Sequence, residues 1–355
     1  MDKNSKIYVA GHHGLAGSAI WRNLELKGYT NLVGKSHIEL DLQDIVAVKA
    51  FFDKEKPEYV ILAAAHVGGI IANNTYRADF IYRNLQIQNN VIGESFRHKV
   101  KKLLFLGSTC IYPREAPQPM SEEALLTGPL EYTNEPYAIA KIAGLKMCES
   151  FNIQYGTNYI AVMPTNLYGP NDNFDLEKSH VLPAMIRKIH LAKALINGDW
   201  NSIRKDLNRR PVEGVSGSNS QQEIEAELQK YGITKGRIDL WGSGKPLREF
   251  LWSEDMADAS VYIMEKIDFS DLVASKTEIR NCHINIGTGK EISIRDLAAL
   301  IKKTTGYTGE IAFDISKPDG TMRKLTDVSK LNALGWRHTI DIDEGVKKMY
   351  DWYLR

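Results

Sequence analysis

Apolar positions over residues 1–170 follow two alternating periods. Short continuous apolar runs at Lys6–Ala10 (KIYVA), Asn31–Gly34 (NLVG), Tyr59–Ala64 (YVILAA), Lys102–Gly107 (KLLFLG) and Tyr159–Met163 predict buried strands. Between them, Leu15–Lys27, Val46–Glu55, Ala78–Arg97 and Tyr137–Tyr155 carry apolar residues at helical spacing. Pro57 stops the second of these helices and Pro136 opens the fourth. Strand and helix alternating in this way predict an α/β protein with a doubly wound parallel sheet of the Rossmann type.

After Gly169-Pro170 the rhythm weakens. Ser179–Ala194 reads as a helix broken near Pro183, Ile238–Leu240 as a short strand and Asp255–Lys266 as a helix. Ile284–Ile286, the helix Ile294–Thr305 and Ile311–Phe313 predict a smaller α+β unit, closed by a helix over Asp343–Tyr353. Residues about 197–237 read as a surface insertion. They hold the loop signature GVSGSNSQQ and then a polar helical stretch, Gln222–Tyr231. A lid, an oligomer contact and a neutral surface loop are all compatible with it, the loop being the default. The expected division is 1–170 plus about 246–268 for one domain. About 171–245 and 269–355 form the other.

Composition then narrows the partners. The chain has 355 residues, with Lys+Arg 45 against Asp+Glu 44, a net charge of +1. That balance argues against nucleic acid or an anionic membrane as the main partner. Charged residues at 25% and apolar residues at 43% exclude wholesale disorder. Cys110, Cys148 and Cys282 are too few and too scattered for a disulfide framework, and no Cys/His metal spacing occurs, so no metal is expected. The N-terminus shows no secretory pattern and there is no run of about 18 apolar residues. The expectation is a cytoplasmic protein with no membrane span.

Gly11-His12-His13-Gly14-Leu15-Ala16-Gly17 directly follows the first strand and opens the first helix. Glycines there permit a tight turn and close approach of backbone amides to a pyrophosphate, which the helix N-terminus stabilises. A tight strand–helix turn alone would use similar glycines. The position, at the start of an alternating pattern, favours a dinucleotide. NAD would call for an acid at the end of the second strand, and none occurs before Glu39. Lys35, with His13 and His37 when protonated, points instead to the 2′-phosphate of NADP(H). Asp41 and Leu42 are placed to meet the adenine.

Tyr137-Ala138-Ile139-Ala140-Lys141 is YxxxK, two residues four apart on one helix face. A nearby ammonium is expected to lower the phenol pKa, so that the tyrosine can exchange a proton with a carbonyl oxygen. Ser108 lies just past the fourth strand, at the sheet end where such folds hold ligands, and its hydroxyl can bond the same oxygen. Alone, YxxxK means little. Joined by Ser108 and in this order with GxxGxxG, it is a strong signal for proton transfer at a carbonyl oxygen.

Here the chain resembles the extended short-chain dehydrogenase/reductases, and within them the GDP-L-fucose synthase family. The carrying segments are AGHHGLAGSAI (10–20), LAAAHVGGIIANNTYRADFIYRN (62–84), KLLFLGSTCIYP (102–113), EPYAIAKIAGLKMCESFNIQYG (135–156), MPTNLYGPNDNF (163–174), WGSGKPLREFLW (241–252), HINIGTG (283–289) and SKPDGTMRK (316–324). They span nearly the whole chain. The resemblance implies that Ser108, Tyr137 and Lys141 form a reductase triad, and that Cys110 and His180 are an acid/base pair for epimerisation. Protons on the carbons flanking a ketone are acidic, and a thiol and an imidazole both titrate near neutrality.

It further implies cofactor contacts from Leu106, Gly107, Ser108, Thr109, Pro164, Thr165, Asn166, Leu167 and His180. Substrate contacts would come from Arg187, Trp241, Arg248 and Asp319, suited to a diphosphate, a base and sugar hydroxyls. The implied reaction takes GDP-4-dehydro-6-deoxy-α-D-mannose to GDP-β-L-fucose with NADPH. The implied site lies in a cleft between the domains of a homodimer paired through helices near 80–98 and 137–155.

The chain departs from the family pattern in three places. His13 and His37 stand where arginine is common, which weakens the 2′-phosphate clamp. His66 stands where a lysine is familiar, and the insertion near 197–237 is extra. Three other readings stay open on the sequence. They are an NAD-retaining nucleotide-sugar 4-epimerase or 4,6-dehydratase, a reductase of a GDP-keto-heptose, and an NADP-sensing regulator that has lost the chemistry.

Overall fold

The computed structural model describes residues 1–274, 276–317 and 319–355, and the side chains of all of these except 70 and 71. Its strands are β1 (Ile7–Ala10), β2 (Leu32–Val33), β3 (Tyr59–Leu62), β4 (Lys102–Leu106), β5 (Tyr159–Pro164), β6 (Asn166–Tyr168), β7 (Ile233–Thr234), β8 (Arg237–Trp241), β9 (Leu247–Arg248), β10 (Phe250–Trp252), β11 (Ile284–Ile286), β12 (Ile292–Ser293), β13 (Glu310–Asp314) and β14 (Arg323–Lys324). Its helices are α1 (Leu15–Leu26), α2 (Ile45–Glu55), α3 (Ile70–Thr75), α4 (Arg77–Arg97), α5 (Glu135–Tyr155), α6 (Val181–Asn197), α7 (Trp200–Arg209), α8 (Gln221–Lys230), α9 (Ser253–Lys266), α10 (Phe269–Val273), α11 (Ile294–Thr305), α12 (Ser329–Ala333) and α13 (Ile342–Leu354). None of the described helices is long and apolar enough to cross a membrane.

The chain divides into two units. The first is Met1–Asn171, Glu249–Lys290 and Leu325–Asp341; the second is Asp172–Arg248, Glu291–Lys324 and Ile342–Arg355. The first unit is built on a six-stranded parallel sheet in the order β11-β5-β4-β3-β1-β2, the doubly wound arrangement expected. Its strands read as unbroken apolar runs because both faces are covered. Ile7, Val9, Ile61, Leu104 and Val162 point to one side, against Ile20 and Leu24 of α1 and Met256 and Val261 of α9. Tyr8, Val60, Leu62, Leu103, Phe105 and Met163 point to the other, against Phe52 of α2, Val91 of α4 and Leu145 of α5. Asp44 accepts the amides of Val46 and Ala47 to start α2, and Gly156, at φ 67°, ends α5.

One expected boundary moves. Residues 269–290 and 325–341 pack with the first unit, whereas the sequence placed 269–355 in the second. The reason is pairing. Ile284–Ile286 runs parallel to Val162–Pro164 as the edge strand of the large sheet, and Leu331 and Trp336 join its core. A three-residue apolar run carries no signal of which sheet it joins.

The second unit holds a three-stranded sheet in which β8 pairs parallel with β13 and antiparallel with β7. Pro183 falls at the third position of α6, where its missing N–H is harmless, so it starts the helix rather than breaking it. In the insertion, α8 matches the expected helical stretch Gln222–Tyr231, and α7 is a second helix that the sequence does not predict. Ile203 and Leu207 of α7 and Ile224 and Leu228 of α8 are buried, Asp199 caps α7, and Ser220 with Glu223 forms a capping box on α8. Arg204 binds the linking segment at the carbonyls of Gly217 and Asn219.

Candidate active site

The turn between β1 and α1 admits no side chain at two points. Gly11 sits at φ +85°, and a Cβ there would lie 2.7 Å from the Ala64 amide nitrogen. A Cβ at Gly17 would lie 2.1 Å from the Gly11 carbonyl oxygen. The amide of Gly14 closes the turn on Gly11 at 3.0 Å, and the amide of Ser18 makes the next bond, to Gly14, at 2.8 Å. The amides of Leu15, Ala16 and Gly17 are thus the orphan donors of a helix start. Sheet order reverses between β1 and β3, so this cradle lies at the switch point where open α/β sheets bind ligands. Its shape fits a dinucleotide pyrophosphate.

The far end of the cradle is less cationic than expected. Lys35 donates to Glu39 at 3.1 Å, and the amide and hydroxyl of Ser36 also donate to Glu39, at 2.8 and 2.7 Å. These bonds hold the exposed Glu39 carboxyl down to about 2. Lys35 therefore already carries a counter-charge. The His12 and His13 rings lie tilted with centroids 3.9 Å apart, and a Cβ at Gly34 would strike the His12 ring. Burial and the charge of His13 lower the His12 imidazole, whose Nδ1 is buried with no partner. His37 is largely exposed and lies 3.7 Å from Asp41. Leu42 is buried, its carbonyl taken by Asn90 at 2.9 Å.

At the end of β4 the chain must pass close to β5. A Cβ at Gly107 would lie 2.3 Å from the Met163 methyl carbon. Ser108 follows and caps a 3-10 turn over Thr109–Ile111, its Oγ accepting the Cys110 amide at 3.3 Å. That turn packs on α5, which carries Tyr137 and Lys141. Lys141 is buried, donates to the Leu106 carbonyl at 2.8 Å, and lies 5.7 Å from the Tyr137 ring centroid. Burial pushes its ammonium down to about 8, partly opposed by charge on Cys110. Pro164, Thr165, Asn166 and Leu167 adjoin the same sheet end. Thr165 is bonded to Ile286 at 2.9 Å, and the Asn166 side chain to the Glu249 carbonyl at 2.8 Å.

Tyr137 does not behave as expected. Its phenol is raised, first by burial and then by the negative charge available at Cys110. Lys141 does not depress it as expected, and that ammonium is bonded to a backbone carbonyl. Cys110 is buried and acts electrostatically on both Tyr137 and Lys141. The structure therefore brings Cys110, Tyr137 and Lys141 into one charge-coupled group beside Ser108. His66, given no role from sequence, belongs near it. Its ring packs 4.7 Å from Phe80, which meets Tyr137 edge-on at 6.4 Å.

The remaining residues belong to the second unit. His180 precedes α6 with no capping bond, and desolvation lowers its imidazole although the residue keeps solvent contact. Trp241 ends β8, is 63% exposed, and has the Lys317 ammonium 5.5 Å from its ring centroid. Arg248 is partly buried, which lowers its guanidinium, and Asp319 opposes that shift. Asp319 accepts the amide and hydroxyl of Ser243 at 2.8 and 2.7 Å. Within this unit, Asp319 is near enough to Arg248 for the two charges to act on one another.

Arg187 is a correction. It is 1% exposed, and its guanidinium is consumed by Asp206 at 2.9 Å and by the carbonyls of Phe174 and Arg210. No donor faces solvent to take a diphosphate. It anchors α7 instead, and breaking one partner of such a buried pair costs about 3–5 kcal/mol. The next residue, Lys188, keeps solvent contact. It donates to the Tyr231 carbonyl at 2.7 Å, and burial pushes it down to about 8. Adjacent helical positions point about 100° apart, so a sequence motif alone does not separate them. Asp172 was also missed. Its Oδ2 is buried without a partner, and burial lifts the carboxyl to about 7.

The chain is similar to known proteins along most of its length. The chain matches the NAD dependent epimerase/dehydratase family over residues 7–206 and 217–287. It is 51% identical over 354 residues to GDP-L-fucose synthase 1 of Arabidopsis thaliana, covering 100% of this chain and 94% of that protein. It is 48% identical over 349 residues to the GDP-L-fucose synthase of Escherichia coli K12, covering 98% and 96%. Among solved structures, the GDP-mannoheptose C4 reductase of Campylobacter jejuni with NADP bound superposes with a TM-score of 0.88. It shares 48% identity and covers 99% of each chain. With its dinucleotide cradle and its tyrosine–lysine pair, the chain belongs to the NAD dependent epimerase/dehydratase family, alongside the GDP-L-fucose synthases.

Proposed function

We propose that this protein is an NADPH-dependent epimerase and reductase that converts GDP-4-dehydro-6-deoxy-α-D-mannose to GDP-β-L-fucose. The observation that carries the reading is the coupled group of Cys110, Tyr137 and Lys141 beside Ser108, in a chain about half identical to GDP-L-fucose synthases along its length.

The Gly11–Gly17 turn and the start of α1 would hold the cofactor pyrophosphate, and Lys35 with His13 the 2′-phosphate. When bound there, NADPH supplies the hydride for C4. Cys110 and His180 would exchange the acidic protons at C3 and C5. Tyr137, a phenol that is protonated at neutral pH, gives its proton to the C4 oxygen. Ser108 bonds that oxygen, and the Lys141 ammonium stabilises the phenolate left behind. Trp241, Arg248, Asp319 and Lys188 would receive the nucleotide end.

A second reading has its own support. The similarity to a GDP-mannoheptose C4 reductase is as high as that to the E. coli fucose synthase. The same triad would reduce a GDP-4-keto-heptose. One assay separates the two. The protein is mixed with NADPH and GDP-4-dehydro-6-deoxy-D-mannose in heavy water, and the product is read by NMR. Nicotinamide absorbance should fall, with deuterium at C3 and C5 of a fucose product. Turnover only with a GDP-4-keto-heptose would shift the assignment to the second reading. No NADPH loss with either substrate would point to a 4-epimerase or dehydratase.

The protein is further proposed to act in the cytoplasm as a homodimer through α4 and α5. Both helices expose apolar side chains, Tyr82 at 63%, Ile139 at 42% and Ile153 at 54%. Changing Tyr82 and Ile139 to Asp should convert a dimer to a monomer by sedimentation. A wild type that sediments as a monomer would end the proposal.

A further inference from the structure

Glu249 is fully buried, and among the described residues no cation pairs with it. A carboxylate is costly to bury unless its oxygens are filled by donors. Here they are. Oε1 accepts the amides of Thr288 at 2.6 Å and Gly289 at 2.8 Å, and Oε2 accepts the amide of Thr326 at 2.9 Å. Its backbone carbonyl takes the Asn166 side chain. The fit is close, since a Cβ at Gly287 would lie 2.4 Å from Oε1.

The location of these bonds gives them meaning. The chain passes from one unit to the other at 248/249, 290/291 and 324/325, among other places. Within the second unit, the segments leading to these three crossings pair with one another. β9 lies between β12 and β14, with Arg248 opposite both Ile292 and Lys324. Within the first unit, one side chain gathers the same three segments, because Glu249 itself binds Gly289 and Thr326. Arg248 is the residue before it. A Cβ at Gly320 would lie 3.1 Å from the Arg248 Nη2, so the 319–324 segment also shapes the guanidinium's surroundings.

We infer that Glu249 is a positioning residue for the nucleotide end of the substrate, acting by fixing the three chain segments that set Arg248 and the Asp319 loop. The inference rests on the nucleotide-sugar reading above. It gives Glu249 no contact with substrate and no proton to move.

Glu249→Gln keeps the shape but replaces one oxygen with an amide nitrogen, which must then face a backbone N–H donor. Either Thr326 or the 288–289 amides lose their acceptor. GDP alone, measured by calorimetry, should bind about tenfold or more weaker, and KM for the GDP-sugar should rise by a similar factor. Affinity for NADP⁺ should stay within about twofold and kcat within about threefold, which also shows that the variant is folded. Glu249→Asp, which keeps the charge but shortens the reach, should fall between wild type and Gln. Unchanged GDP affinity in either folded variant overturns the inference. So does an equal weakening of GDP and NADP⁺, a loss confined to kcat, or failure of both variants to fold, which would make the residue a folding element only. A wild type that binds no GDP instead overturns the nucleotide-sugar reading.

Discussion

Tyr137→Phe is expected to lower ketone reduction by about 10²–10⁴-fold while proton exchange at C3 and C5 continues. The substitution removes one hydroxyl from a ring held by Phe80 and leaves its packing in place. Only the proton delivered to the C4 oxygen is lost. The pH profile should carry a second signature in the wild type. Lys141, pushed down to about 8 by burial, is charged below that value and neutral above it. Its charge stabilises the phenolate formed as Tyr137 gives up its proton, so reduction should decline as pH rises through about 8. Single-turnover absorbance of NADPH measures the first effect, and the same assay across pH measures the second. Full reduction by Tyr137→Phe would remove the tyrosine from the mechanism.

Cys110→Ser is expected to have the converse effect. A hydroxyl is a far weaker acid than a thiol, so deuterium exchange at C3 and C5 should drop by about 10²–10⁴-fold. Direct reduction of the unepimerised 4-ketone should persist. The electrostatics add a less obvious consequence. Charge on Cys110 raises both Lys141 and Tyr137. Without it, Lys141 loses its charge at a lower pH, so the alkaline fall in reduction should begin earlier in Cys110→Ser than in wild type. The two activities would then be linked through a shared field as well as a shared substrate. NMR of the products in heavy water, with the pH profile, checks both points. Undiminished fucose output would show that another group moves the C3 and C5 protons.

The two substitutions also separate the candidate substrates. A GDP-heptose C4 reductase with no epimerisation step would lose activity on Tyr137→Phe and show no exchange to lose on Cys110→Ser. The bifunctional reading rests on Cys110, two residues after Ser108, together with 51% identity to a GDP-L-fucose synthase.

Much of the first unit was legible from local pattern. Runs such as KLLFLG and YVILAA are apolar throughout because parallel strands are buried on both faces, and that needs no knowledge of distant residues. The GxxGxxG turn was legible because its glycines answer to steric contacts within a few residues and one neighbouring strand. YxxxK and Ser108 could be read from their places on a helix and past a strand end, whereas Cys110 and His180 came forward only through the family resemblance.

What tertiary structure decided depends on burial and on neighbours remote in sequence. Arg187 and Lys188 are adjacent cations, and only packing against α7 sends the first into a buried pair with Asp206 and leaves the second in contact with solvent. In the insertion, α8 falls where the helical stretch is expected, but α7 gives no signal because its apolar positions, Trp200, Ile203 and Leu207, are few among polar neighbours. Ile284–Ile286 needed β5 to reveal its sheet. The shift of Tyr137 was taken from its proximity to Lys141, but desolvation sets the sign and is a property of the folded surroundings. Glu249 carried no signal at all, since a lone glutamate is ordinarily a solvated residue. Its carboxylate is held by two segments about 40 and 77 residues away in sequence, which meet it only once the chain has folded.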